Sequence, residues 1–212
     1  MKPLILPIFP EPIVAYNDVE VDLEKIHGLY DKQEWKSTNS EDNADYFLQI
    51  SKNLKVLDEN ANLKKAFVDI INDYTKNVML YENTFYMTTS WFTKTEKNKI
   101  SVLHNHGNAM FSAVYYFDLP EGKKSKITFE KPVTNQFDLK PTTYNVLNGP
   151  SYVFELGNDT VLIFPSYLKH KVNRHENDAI RKSLAMNFIP EGVIGVDTNE
   201  IYLSGPPDHE TK

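Results

Sequence analysis

The stretch from about residue 83 to residue 190 consists of short apolar segments separated by turn residues. Aromatic and β-branched residues dominate the segments, whereas Gly, Pro, Asn and Asp occupy the positions between them. The predicted strands are residues 85–95, 99–104, 110–118, 126–130, 151–156, 160–164, 170–173 and 182–188, with turns at 96–98, 120–122, 148–150 and 157–159. Many short strands joined in this way are typical of a β-sandwich or a jelly roll. The chain is therefore predicted to be mainly β.

Two amphipathic segments precede the β-rich stretch. Asn17 or Asp18 is a candidate N-cap for a helix at residues 19–30. Residues 60–80 predict a second helix, because apolar residues recur there at three- and four-residue spacings: Leu63, Phe67, Ile70, Ile71, Tyr74 and Val78. We expect one domain over residues 1–212, with a strand at 4–9 and supporting helices in 1–82, a β core in 83–190 and a C-terminal extension in 191–212.

Composition excludes several classes of site. The chain has 212 residues, no cysteine and a formal net charge of -6. Without cysteine it has neither disulfides nor thiolate ligands, so a metal would be held by His, carboxylate or amide groups. The acidic balance disfavours nucleic acid as a partner. No apolar run is long enough to span a membrane, and the first residues lack a signal-peptide pattern, so a cytoplasmic location is expected.

The first candidate site is the pair His104-x-His106. On an extended backbone, side chains two residues apart leave the same face, so both imidazoles can reach one point in space. That arrangement suits a metal ion, although two histidines can also form an ordinary polar rim where strands meet. A third histidine, His170, opens a predicted strand further along the chain. Sequence separation alone does not establish that His170 lies near the other two.

The second candidate site lies on the last predicted strand. Arg181 and Ser183 share one face of that strand, and Lys182 points away. A buried guanidinium needs an anionic partner, and its planar fork suits a carboxylate. The partner is either a bound carboxylate ligand or an internal ion pair with Asp118 or Glu130. The residues themselves leave both alternatives open.

Four segments in this order resemble a known family: His104-x-His106, residues 112–117, residues 162–170 and Arg181-x-Ser183. The set is similar to the 2-oxoglutarate and Fe(II)-dependent oxygenases, in particular to oxygenases of bacteria and phages that are related to prolyl hydroxylases. The resemblance covers roughly residues 87–188 and implies a double-stranded β-helix, or jelly roll, with the N-terminal helices packed outside. It also implies iron ligands at His104, His106 and His170, and 2-oxoglutarate contacts from Arg181, Ser183 and Tyr116, with Tyr115 on the opposite face.

The sequence departs from the family pattern at the second ligand, which is usually a carboxylate. A shifted register would use His106 and Asn108 and would leave His104 outside the coordination sphere. We favour His104 and His106, because the residues after them lead better into the strand that contains Ser112. Three neutral imidazoles leave the site one charge unit more positive than two imidazoles and a carboxylate.

The resemblance implies a dioxygenase that uses Fe(II), 2-oxoglutarate and O2, hydroxylates a substrate, and releases succinate and CO2. One alternative is a cupin-like three-histidine metal enzyme that does not use 2-oxoglutarate, and another is a non-catalytic jelly-roll binding module. The expected primary substrate is a peptide side chain or a small metabolite, and assembly as a homodimer is compatible with the sequence. Candidate aromatic residues for the pocket are Tyr86, Trp91, Phe92, Phe111 and Phe188, of which at least half are expected to be core.

Overall fold

Two antiparallel β-sheets face each other, and two helices cover the outer face of the larger sheet. The computed structural model describes residues 3–4, 6, 9–38, 46–121, 124–132, 137 and 139–205. The described helices are α1 (Leu23–Tyr30) and α2 (Ala61–Asp73). The described strands are β1 (Val14–Tyr16), β2 (Trp35–Ser37), β3 (Gln49–Ser51), β4 (Thr84–Thr95), β5 (Phe111–Phe117), β6 (Lys126–Glu130), β7 (Ser151–Glu155), β8 (Thr160–Pro165), β9 (His170–Val172), β10 (Arg181–Ile194) and β11 (Ile201–Leu203).

The larger sheet has the strand order β1-β8-β5-β10-β4-β3-β2, with β11 paired to β10, and the smaller sheet has the order β7-β6-β9. This arrangement confirms the predicted jelly roll. Seven of the eight predicted strands are present with boundaries within one residue, except that β10 continues to Ile194. Five of the described strands have three residues, too few to show an alternating pattern, and of these only β9 was predicted, because it follows the turn after β8.

Strands β5 and β8 of the larger sheet are buried on both faces, which explains why they are mostly apolar. Every residue of β5 is buried, and alternate side chains enter different clusters. Tyr115 and Phe117 face the helices, where the ring of Tyr115 lies 5.4 Å from that of Phe67 in α2. Val114 and Tyr116 face the smaller sheet. Tyr115 and Tyr116 therefore point in opposite directions, as expected from their adjacent positions.

The helices begin and end at identifiable residues. Asp22, rather than Asn17 or Asp18, caps α1 by accepting a hydrogen bond from the main-chain N–H of Lys25 at 3.1 Å. Asp18 instead has a positive φ of 54°, in a turn of the incoming chain. Asn60 caps α2 by accepting a hydrogen bond from the main-chain N–H of Leu63 at 3.1 Å. That helix is shorter than predicted, because α2 ends at Asp73 and a π-helical turn follows at Tyr74–Val78.

The predicted strand at residues 99–104 is extended but irregular. Ser101 donates its main-chain N–H to the carbonyl of Val172 at 3.2 Å, and His104 and His170 exchange both main-chain hydrogen bonds at 3.0 and 2.8 Å. Within the Ser101–Val172 pair, the main-chain N–H of Val172 donates to the Ser101 hydroxyl at 2.6 Å. A side chain therefore replaces a carbonyl in the ladder, and the segment lines β9 without forming a regular strand.

Some sequence predictions fall outside the part of the chain that the structure describes. Residues 5, 7 and 8 of the predicted first strand are among them, as is the tail after residue 205. Neither α1 nor α2, nor any other described helix, has the length and apolar composition that a membrane span requires.

Candidate metal centre

Three imidazoles from separate parts of the chain converge at one end of the jelly roll. His170 is the first residue of β9, and the main-chain bridge described above places His104 directly opposite. The loop after His104 brings back His106, whose main-chain N–H donates to the carbonyl of Ser166 at 2.9 Å. One ring nitrogen from each histidine lies within 4.8 Å of those of the other two. The ring centroids are 4.4 to 5.3 Å apart.

The hydrogen bonds of the three rings leave the same nitrogen free on each. Nδ1 of His104 lies 2.9 Å from the carbonyl oxygen of Val102, and Nδ1 of His170 lies 2.9 Å from that of Leu168. Nδ1 of His106 lies 2.7 Å from Oδ1 of Asn187. Since these oxygens only accept hydrogen bonds, each Nδ1 carries the proton and each Nε2 keeps its lone pair. This is the orientation that metal-binding histidines usually show.

The surroundings of His106 include polar side chains that sequence reasoning missed. The hydroxyl of Ser112 lies 2.9 Å from Nδ1 of His106, 2.8 Å from the hydroxyl of Ser166, and 2.8 Å from Oδ1 of Asn187. The Asn187 amide in turn donates to Thr89 at 3.1 Å. The available signal was the alternation along β10, because Asn187 lies on the same face as Arg181 and Ser183.

Burial keeps the imidazoles of His106 and His170 neutral. Burial lowers the pKa of His170 to about 3, and the neighbouring His104 and His106 act in the same direction. Burial also lowers the pKa of His106, although the hydrogen bond with Asn187 opposes this effect. Neutral imidazole is the form that binds metal, so at neutral pH protons do not compete for these two ligands.

The low pKa of His170 predicts a pH dependence for the stability of the metal-free protein. The unfolded chain takes up a proton at residue 170 below about pH 6.5, whereas the folded chain does so only near pH 3. The contribution of neutral His170 to the free energy of unfolding should therefore be fully present above pH 6.5. The free energy of unfolding should fall on acidification below that pH, by up to about 1.4 kcal/mol per pH unit for one proton. Urea unfolding in EDTA between pH 6.5 and 5 measures this slope. The slope should be smaller in His170→Asn, and equal slopes would contradict the prediction.

Arg181 is buried, and no described residue forms an ion pair with it. It is 1% exposed, its Nη2 donates to Thr95 over a long 3.4 Å, and its Nε has no hydrogen-bond partner among the described residues. The ion pair considered from the sequence is not formed among the described residues: Asp118 instead contacts Lys182 and His27 on the helix side of the sheet. Because an unpaired buried guanidinium is costly, the arrangement favours a bound anion.

A cavity of about 630 Å³ connects the histidines with Arg181. Ser183 and Tyr116 also line it, and the Ser183 hydroxyl lies 2.5 Å from that of Thr93. The guanidinium carbon of Arg181 lies 6.0 Å from the centre of the Tyr116 ring. Burial raises the pKa of Tyr116 to about 12, although the charge of Arg181 opposes the rise, so its phenol remains a hydrogen-bond donor at neutral pH.

Of the remaining candidate residues, some line the cavity and others do not. Asn108 is exposed, has a positive φ of 56° and does not line the cavity that contains the histidines. Of the five aromatic candidates, only Trp91 lines the cavity, and its ring lies 5.5 Å from that of His106. Phe92, Phe111 and Phe188 belong to the core under the helices. None of the described residues that line the cavity is acidic.

A sequence comparison finds a family model that matches the region containing this site. Residues 89–187 match the model of a family described as "Putative 2OG-Fe(II) oxygenase". The matched region includes all three histidines, Arg181 and Asn187. No curated protein sequence matches the chain.

Solved structures share the fold at low sequence identity. HygX from Streptomyces hygroscopicus, solved with nickel, 2-oxoglutarate and hygromycin B, is 12% identical with a TM-score of 0.59, covering 85% of this chain and 83% of its own. SnoK, an alpha ketoglutarate dependent carbocyclase from nogalamycin biosynthesis, is 10% identical with a TM-score of 0.63, over 94% and 85%. A Pseudomonas putida prolyl-4-hydroxylase is 12% identical with a TM-score of 0.53, over 84% and 92%. At these identities the comparison establishes the jelly-roll fold.

Proposed function

Because residues 89–187 of this chain belong to the 2OG-Fe(II) oxygenases, we propose that the chain is a 2-oxoglutarate-dependent hydroxylase and that His104, His106 and His170 hold its iron. Three nitrogen ligands on one side of a metal leave further positions for exchangeable ligands, as non-heme Fe(II) oxygenases require. The donor set fits, since each imidazole has a free Nε2 and a hydrogen-bonded Nδ1. The difference from the usual ligand set lies in its charge.

The observation that carries the co-substrate assignment is the guanidinium of Arg181. It is buried, it has an unpartnered Nε, and it lies in the same cavity as the histidines. A carboxylate would meet both its charge and its open donor, with geometry suited to a planar fork. We infer that Arg181 and Ser183 bind the far carboxylate of 2-oxoglutarate, with the phenol of Tyr116 as an additional donor.

The protein's part in the reaction is to bind, orient and exclude water. When bound, Fe(II) and 2-oxoglutarate supply the oxidising chemistry, in which O2 and 2-oxoglutarate are converted to succinate, CO2 and a hydroxyl group on the substrate. Arg181 fixes one end of the co-substrate, so that its other end is directed along the cavity toward the histidines. The apolar residues Trp91, Val114 and Ala185 line the cavity between these ends and limit the entry of water.

The two alternatives are less well supported. A cupin-like enzyme without 2-oxoglutarate would leave Arg181 buried and unpaired for no purpose. A non-catalytic module would not require one ring nitrogen from each of three histidines to converge. For the primary substrate we propose a peptide side chain or a small metabolite, since solved neighbours include a prolyl-4-hydroxylase and a structure with hygromycin B bound.

Anaerobic titration tests cofactor and co-substrate together. Adding Fe(II) and then 2-oxoglutarate should produce the visible charge-transfer band of a chelated 2-oxo acid, with one equivalent of each at saturation. The control variant is Lys182→Ala, because Lys182 neighbours Arg181 but contacts Asp118 on the other face of the sheet. The band should persist in this variant. Fe(II) binding without any band on addition of 2-oxoglutarate would favour the cupin-like alternative.

A further inference from the structure

Main-chain atoms fix the proton position in two of the three imidazoles, whereas side chains fix it in the third. The acceptors for His104 and His170 are the carbonyl oxygens of Val102 and Leu168, which no substitution can remove. The acceptor for His106 is Oδ1 of Asn187, at 2.7 Å. A substitution can therefore change which nitrogen carries the proton in His106, but not in His104 or His170.

We propose that Asn187 is a positioning residue that holds His106 in the Nδ1-protonated tautomer and so presents its Nε2 to the metal. This inference rests on the proposed metal centre and adds a residue that acts through His106 without touching the metal. Asn187 is held for this role at the point where β10 shifts register against β4, between Asn187 and Phe188. Such irregularities often direct a side chain toward a site.

The neighbours of Asn187 determine which way its amide faces. Its oxygen lies near two groups that can donate, the Nδ1–H of His106 and the hydroxyl of Ser112 at 2.8 Å. Its nitrogen lies 3.1 Å from the hydroxyl oxygen of Thr89, which can accept. In the reversed orientation the amide N–H groups would face Nδ1 of His106, and the imidazole proton would move to Nε2. A protonated Nε2 has no lone pair for a metal.

The choice of an amide also sets the charge behind the ring. An aspartate at this position would accept the same hydrogen bond and would place a negative charge behind His106, as in carboxylate–histidine–metal groupings, which make the imidazole more basic. Asparagine supplies the acceptor without the charge. The three-imidazole centre therefore keeps the full charge of its metal, together with the nearby charge of Arg181, for binding the dianionic 2-oxoglutarate.

Two substitutions at residue 187 should differ in their effect on Co(II) affinity, which the visible absorption of the bound ion reports. Asn187→Leu removes the acceptor at similar volume and should weaken Co(II) binding about 10- to 100-fold, the usual effect of losing such a partner. Asn187→Asp keeps the acceptor and should bind at least as tightly as the parent. Thr88→Val is the matched control, because the Thr88 hydroxyl contacts only the main-chain carbonyl of Asn187. Its affinity should be unchanged.

The tautomer itself can be observed without metal. In two-bond ¹H–¹⁵N spectra of metal-free protein, His106 should be protonated at Nδ1 in the parent and in Asn187→Asp, and should populate the Nε2-protonated form in Asn187→Leu. Asn187→Ala removes the same acceptor with less bulk and replaces the leucine variant if that variant does not fold. A folded variant without the acceptor that keeps parental Co(II) affinity and tautomer would overturn the role of Asn187. Failure of the parent to bind Co(II) or Fe(II) would instead overturn the metal centre.

Discussion

Replacing His170 with alanine should reduce Fe(II) affinity at least about 100-fold, because the loss of a ligand exceeds the 10- to 100-fold loss that follows removal of a ligand's hydrogen-bond partner. His170 is almost fully buried against Phe129 and Phe164, so alanine would also leave a cavity. His170→Leu fills that space without a nitrogen and separates the two effects. Isothermal titration with Fe(II) under anaerobic conditions measures the affinity.

The control for His170 is His27→Ala, since His27 lies on α1 beside Asp118, on the other side of the larger sheet. This variant should bind Fe(II) as tightly as the parent. If the folded leucine variant at residue 170 retained parental affinity, the ion would have to bind elsewhere, and the assignment of all three histidines would be lost.

Replacing Arg181 with methionine should weaken the binding of 2-oxoglutarate and should stabilise the ligand-free protein. The affinity for 2-oxoglutarate should fall about 30-fold or more, because removing one member of a buried charged pair costs about 2–5 kcal/mol. Fe(II) binding should persist, since Arg181 is not one of the three proposed ligands. Titration of the Fe(II)-loaded protein with 2-oxoglutarate measures the first effect, with Lys182→Ala as the control.

The second effect concerns the free energy of unfolding without ligands. The parent carries a buried charge whose Nε has no partner, and methionine would replace it with an apolar side chain of similar length. We expect a gain of about 1 kcal/mol or more, which raises the melting temperature by roughly 2–4 °C in a chain of this size. A lower melting temperature would show that Arg181 contributes to the fold rather than to ligand binding.

The sequence predicted β4, β5, β6, β7, β8 and β10 because each is long enough to show β-type residues between turn residues, and it predicted the three-residue β9 because the chain turns after the apolar strand β8. It drew attention to His170 and Arg181 as candidate site residues because imidazole and buried guanidinium have few ordinary uses in a β core. What it could not supply was distance. His170 meets His104 only through a bridge between an irregular segment and β9, and that pairing depends on the register of the whole smaller sheet.

Other features were missed because they leave no pattern in the chain. Asn187 and Ser112 are ordinary polar residues until the pairing of β10 with β5 places them opposite each other. The cap of α1 was predicted at Asn17 or Asp18 rather than at Asp22. All three residues have side chains that can cap a helix, and only the packed structure selects one of them. The irregularity at residues 99–104 arises from a serine hydroxyl in the ladder, which strand propensities do not describe.

The main-chain bridge between His104 and His170 has a consequence for how the metal ligands can change during evolution. These residues join two distant segments through their peptide groups, and that junction requires no particular side chain. A relative could therefore exchange either imidazole, lose its chemistry and retain its shape. We expect inactive members of such a lineage to remain well folded, and an ancestral scaffold of this kind to accept new ligand sets by single substitutions.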